Sequence, residues 1–101
     1  MSDPELEEDL RRLRESYRRK LPELLRTLEE RVRVARAREG ASELREAARQ
    51  LAHQLKGTSG CHGLHEPSAA LERIEELLAA GPPAAWSEIE RELERARTTL
   101  A

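Results

Sequence analysis

Apolar residues along the first third of the chain recur at intervals of three and four: Leu6, Leu10, Leu13, Tyr17, Leu21, Leu24, Leu28, Val32 and Ala35. That spacing gathers them on one face of an α-helix. It predicts one long helix over about residues 4–38, with Pro4 in its first turn and Ser2 or Asp3 as its cap. Acidic residues crowd the first turn, where the helix dipole favours them. Pro22 interrupts nothing in the periodicity but removes one backbone donor, so a bend is expected near Arg18 to Leu21. A short helix followed by a second one is the alternative there. Arg38-Glu39-Gly40 closes the segment, with Gly40 as a natural C-terminal stop.

Three further segments follow the same rule. Leu44, Ala48, Leu51, Leu55 and Ser59 mark the inner face of a second helix over about 42–62, opened by Ser42 with Glu43 and Glu46 in its first turn. His65-Glu66-Pro67 opens a third over about 65–80, whose apolar face is Ala70, Leu71, Ile74, Leu77 and Leu78. Gly81-Pro82-Pro83 ends it. Trp86, Ile89, Leu93, Ala96 and Leu100 define a fourth over about 84–100. No repeat and no low-complexity tract intervenes. Amphipathic helices joined by short loops predict an all-α fold, an antiparallel four-helix bundle, in one domain spanning residues 1–101.

Composition narrows the function classes. The chain has 101 residues, of which 38% are charged and 2% aromatic, with no Phe. Aliphatic and alanine packing between helices suits that composition better than a β-sandwich does. Acidic and basic residues number 20 and 18, for a formal net charge of −2. That balance disfavours nucleic acid as a partner, because phosphate binding selects basic surfaces. The single cysteine, Cys61, excludes an internal disulfide. The acidic N-terminus lacks the apolar core of a secretion signal, and no apolar run matches a membrane span. A cytoplasmic monomer is expected, and Met1 favours a stand-alone module over a fragment of a larger protein.

His53 stands apart from this pattern. At about 100° per residue it lies roughly opposite the Leu44–Ser59 stripe, so its ring should face solvent. Gly57 and Gly60 share its face, one and two turns on. Glycine inside a helix costs about 1 kcal/mol relative to alanine, and solvent does not require it. An exposed imidazole beside bare backbone reads as a docking site built around a reactive histidine. A free imidazole with a pKa near about 6.5 is mostly neutral at pH 7 and is then a good nucleophile towards phosphorus.

The run Ala52-His53-Gln54-Leu55-Lys56-Gly57-Thr58-Ser59, with Gly63 further on, resembles the histidine phosphotransfer (Hpt) domain of bacterial phosphorelays. The matching pattern is His-x-Leu-Lys-Gly-x-Ser, filled by His53, Leu55, Lys56, Gly57 and Ser59. Pro67 is a departure, since the family more often has an apolar helical residue there. The resemblance implies that His53 is the phosphoacceptor. Lys56 would support the phosphoryl group electrostatically, and Gly57 would leave room for the partner. Arg49, Gln50 and Gly60 are assigned to partner docking, Gly60 on its geometry alone. The implied partners are a response-regulator receiver domain and a sensor or hybrid histidine kinase. No glycine-rich phosphate loop is present, so no autonomous kinase activity is expected. No general base is evident beside His53. Catalysis would belong mainly to the partner receiver, with its acidic pocket and Mg²⁺; this chain would be a phosphocarrier with no cofactor of its own.

Two other readings remain. One is a helical docking or regulatory bundle that binds two-component partners without being phosphorylated. The other is a metal-binding bundle using Cys61, His62 and His65. Against the latter, His62 falls on the core stripe, and Cys61 reads as a small half-buried residue. Tyr17 and Trp86 sit in apolar stripes and read as core. Arg11-Arg12 and Arg18-Arg19-Lys20 read as solvated faces.

Overall fold

A computed structural model describes residues 3–39, 41–81 and 85–100. Four α-helices account for almost all of them: α1 Pro4–Ala37, α2 Ser42–Cys61, α3 His65–Ala79 and α4 Trp86–Thr98. The connections are too short to recross a helix length, so successive helices run antiparallel and form a four-helix bundle. Membership of the core decides the order of packing: α1 lies on α2 and α4, and α3 lies between α2 and α4. No described helix is long and apolar enough to cross a membrane.

The first helix runs without a break through Pro22, so the two-helix alternative is not what the chain does. Pro22 is exposed, which leaves the carbonyl it cannot satisfy on the solvent side. Asp3 caps the helix, its side chain accepting from the Glu5 amide at 3.0 Å. Ser42 does not cap α2: Ala41 is the cap residue and offers no side-chain bond, so Ser42 is already helical. The expected stop at Gly40 and the expected start of α4 at Ala84 lie outside the described residues, as do Ser2, Pro82 and Pro83. Arg38 is the C-cap of α1.

The core consists of aliphatic side chains and alanines. Leu21, Leu25 and Leu28 of α1 meet Ala48, Ala52 and Leu55 of α2, Leu71, Ile74 and Leu78 of α3, and Ile89 and Leu93 of α4. Ala48 and Ala52 are fully buried, and their small size lets α2 approach its neighbours closely. Two expectations shift by part of a turn. Leu25 is the fully buried residue of α1 where Leu24 was expected, and Ala52 is buried while Leu44 and Leu51 are only half-buried. A bundle with several neighbours buries a face wider than a single three/four stripe, so positions beside the stripe enter the core.

A larger departure concerns the start of α1. Leu6, Leu10 and Leu13 are 55%, 44% and 57% exposed. The 34 residues of α1 correspond to about 51 Å at 1.5 Å per residue, close to the 53 Å length of the whole molecule. Its partners have 20, 15 and 13 residues. The first turns of α1 therefore project past the bundle, and the inter-helix contact begins near Tyr17, whose hydroxyl lies 3.1 Å from Ser59 Oγ.

Candidate functional site

The end of α2 fixes the backbone on which the site is built. Gly63 adopts φ +73°, a left-handed conformation that a side chain would strain. Its amide donates to Gly60 O at 3.1 Å, and the Leu64 amide donates to Ser59 O at 2.9 Å. These two bonds form a Schellman closure that reverses the chain into α3. Pro67 then occupies the first turn of α3 and is buried, so the departure at this position costs no backbone hydrogen bond. Ser68 Oγ donates to Lys56 O at 3.1 Å, pinning α3 against the middle of α2.

His53 projects outward from α2, with its side chain 64% exposed. The burial of Ala48, Ala52, Leu55 and Ser59 on the other side of the helix puts it there. A neighbour the sequence reading did not identify stands beside it. Glu75, on α3, brings a carboxylate oxygen to 2.5 Å from His53 Nδ1. The other oxygen of the same carboxylate accepts from Lys56 Nζ at 3.1 Å. Arg49 Nη1 lies 3.8 Å from Glu75 Oε2. One carboxylate thus gathers an imidazole and two cations from three positions along one face of α2. No general base was evident beside His53 in the sequence; the structure places this carboxylate at its Nδ1, as an acceptor.

Glu75 is suited to hold a negative charge there. Its partial burial would raise its pKa, but hydrogen bonds from Lys56 and then His53, with their charges, outweigh that and hold the carboxyl below the ordinary glutamate range. As an acceptor-only group it takes the hydrogen of Nδ1, which assigns the neutral ring to the tautomer with a bare Nε2. The bare nitrogen belongs to a side chain that is 64% exposed. Lys56 is placed on Glu75, with its side chain 26% exposed, rather than standing free over the ring.

The other sequence-predicted residues fall as follows. Gly57 is exposed, and a Cβ added there would have nothing within 4 Å, so the fold itself does not require glycine. Gly60 is also exposed, but a Cβ would stand 3.4 Å from Ser68 Oγ, an ordinary contact beside α3. Arg49 is held by Glu46, whose carboxylate it grips through Nε at 2.8 Å and a second nitrogen. Gln50 Nε2 donates to the same Glu46 at 3.5 Å. Arg49 therefore joins the cluster through Glu75, whereas Gln50 remains on its rim.

Among the described residues, no three His, Cys, Asp or Glu side chains are grouped as metal ligands. His62 is turned away to stack on Tyr17, with ring centroids 4.8 Å apart. Cys61 is exposed rather than half-buried, because two residues after the buried Ser59 it falls on the opposite side of α2. Tyr17 is half-buried; burial raises its pKa, against a lowering by the Ser59 hydrogen bond. Trp86 is half-buried too, and its indole donates to Glu39 at 3.0 Å. Both aromatics thus have a polar tip that reaches a partner at the edge of the core. Arg11, Arg12, Arg18, Arg19 and Lys20 are exposed.

Periodicity could not have selected Glu75. Its helix also carries Glu72 and Glu76, and only the rotation of α3 against α2 decides which of the three meets the imidazole.

The family model of the Hpt domain matches residues 5–101 of the chain. No curated protein and no solved structure matches. A match over nearly the whole length shows the family, and the chain belongs to the Hpt domains, which serve phosphotransfer in two-component signalling.

Proposed function

We propose that this member of the Hpt family carries a phosphoryl group on Nε2 of His53, between the aspartate of a receiver domain or a histidine kinase on one side and a second receiver aspartate on the other. The observation that carries this reading is the 2.5 Å contact between His53 Nδ1 and Glu75 beside an open face. In the forward step, the Nε2 lone pair attacks the phosphorus of an aspartyl phosphate. The N–P bond forms as the P–O bond to the aspartate breaks, and the aspartate departs as a carboxylate. The ring gains positive charge while its Nδ1 hydrogen stays bound to Glu75, and a fixed carboxylate at that distance stabilises the charge as it develops. Glu75 needs no proton of its own; it orients the ring and balances its charge, and Lys56 and Arg49 hold it in place.

The bare backbone at Gly57 supports a partner approaching one turn from the imidazole. Phosphoryl transfer demands near-contact between nucleophile and phosphorus, so space at this position matters more than helix propensity. The Mg²⁺ and acidic pocket expected of a receiver domain would supply the remaining charge compensation from the partner's side. The carrier remains a binding and positioning device in this reading, and the direction of flow is set by the phosphate levels of its partners.

The test is incubation of the purified chain with phosphorylated receiver domains, followed by partial hydrolysis. The expected product is an acid-labile, alkali-stable phosphate that is lost in His53→Gln while helical content is retained. Phosphate appearing on His62 or His65 in that variant overturns the assignment. Binding to receivers with no label on the wild-type chain would instead make it a docking bundle.

A further inference from the structure

The projecting start of α1 presents an apolar stripe that nothing among the described residues covers: Leu6, Leu10 and Leu13 are each at least 44% exposed. The geometry points to a second copy of this chain as the occupant of that stripe, packed antiparallel through α1 about an axis at Leu10. The charges along the helix carry the argument. Asp3, Glu5, Glu7, Glu8 and Asp9 make the first two turns wholly acidic, and Arg11, Arg12, Arg14, Arg18, Arg19 and Lys20 make the next turns strongly basic. A helix with such opposed halves is complementary to itself only when reversed; side by side in parallel, acid would meet acid.

The register follows from the apolar positions. With Leu10 facing the partner's Leu10, Leu6 meets the partner's Leu13, and Leu13 meets the partner's Leu6. The flanking positions then pair as well. Glu7 and the partner's Arg14, each one residue beyond a stripe leucine, face each other beside the seam, a pair that occurs twice by symmetry. These charges are available. Glu7 and Arg14 are exposed and, among the described residues, enter no ion pair within the chain. Farther along the same helix, Arg26, Arg33 and Arg36 all have carboxylate partners at 3.4 Å or less. In this register the partner's Pro4 ends opposite Ser16, just short of Tyr17, where the bundle begins to cover α1. The overhang has the length its own copy needs.

Three leucines from each side make a small interface, below the roughly 1,200 Å² of durable complexes. The association is therefore a reversible one, with a dissociation constant on the order of 10–100 µM. It leaves α2 and His53 outside the contact and does not depend on the phosphotransfer reading.

Sedimentation equilibrium from about 10 µM to about 1 mM in low salt tests it, a range that brackets the expected constant. The expected result is a monomer–dimer equilibrium that weakens at least tenfold in Leu10→Glu, with unchanged circular dichroism. High salt should weaken it too, because the flanking pairs are exposed. Glu7→Arg and Arg14→Glu should each weaken it, and the double variant should restore it, since the exchange regenerates the pair in the antiparallel register. A monomer throughout the range overturns the proposal. So does a dimer indifferent to Leu10→Glu, or one that the double exchange fails to restore. If the stripe is protected only on adding a receiver domain, its occupant is that domain and not a second copy.

Discussion

Glu75 reaches from α3 to the Nδ1 nitrogen of His53 at 2.5 Å, across the seam between two helices. The same carboxylate binds Lys56 at 3.1 Å. The imidazole is thus oriented by a residue that is 22 positions away in sequence and on another helix, while the histidine side chain stays 64% exposed. The lysine one turn after the histidine shares this carboxylate with the ring.

Glu75→Ala should slow transfer from a phosphorylated receiver by at least about tenfold, the equivalent of about 1.4 kcal/mol in the transition state. The reason is that the charge developing on the ring loses its counter-charge and its orienting acceptor. Glu75→Gln keeps an oxygen that can accept from Nδ1 but removes the charge, so its rate should lie between those of Glu75→Ala and the wild type. Single-turnover transfer kinetics measure this. Equal rates in all three proteins would mean that Glu75 takes no part in the reaction.

The same carboxylate makes a prediction about acid stability. Its folded pKa lies below the ordinary value, so folding is favoured above the unfolded-state pKa of about 4.3 and that contribution is lost as pH falls through the lower folded value. The unfolded chain takes up a proton at a pH where the folded chain still refuses it. Wild type should therefore lose more stability than Glu75→Gln between about pH 5 and pH 3, by urea titration at each pH. Other depressed carboxyls such as Glu46 are common to both proteins and cancel in the difference. Parallel curves for the two would contradict the assignment of this shift to the His53–Lys56–Glu75 cluster.

Gly57→Gln separates folding from docking. A Cβ there meets nothing within 4 Å, and the residue lies well inside α2, so replacing glycine should stabilise the free protein by about 0.5–1 kcal/mol. Transfer should fall at least about tenfold, because the new side chain stands one turn from His53 where the partner must approach. Thermal melts and transfer rates on one preparation check both halves. Wild-type rates in a stabilised variant would move the docking surface elsewhere.

Much of this molecule was legible in one dimension. The four helices, their limits to within a few residues, the inward face of α3 and the outward direction of His53 all follow from the spacing of apolar residues. That is because a helix fixes which of its own residues share a face. The family pattern lies within one such helix and needed no neighbour to be seen. Cap chemistry was less legible: Ser42 has the right residue type for a cap, yet Ala41 is the cap residue and Ser42 is already helical.

What the sequence could not settle are relations between helices. The stripe of α1 continues evenly from Leu6 to Ala35, but only the lengths of α2, α3 and α4 decide that its last half is buried and its first turns are bare. Leu25 and Ala52 entered the core because two neighbours close on a wider arc than one stripe describes. Glu75 is one of three glutamates within five residues of α3, and the rotation of that helix chose it. Periodicity is a property of a single backbone, set by local geometry. Register and rotation between backbones come from packing side chains together across the bundle, which no single stretch of sequence contains.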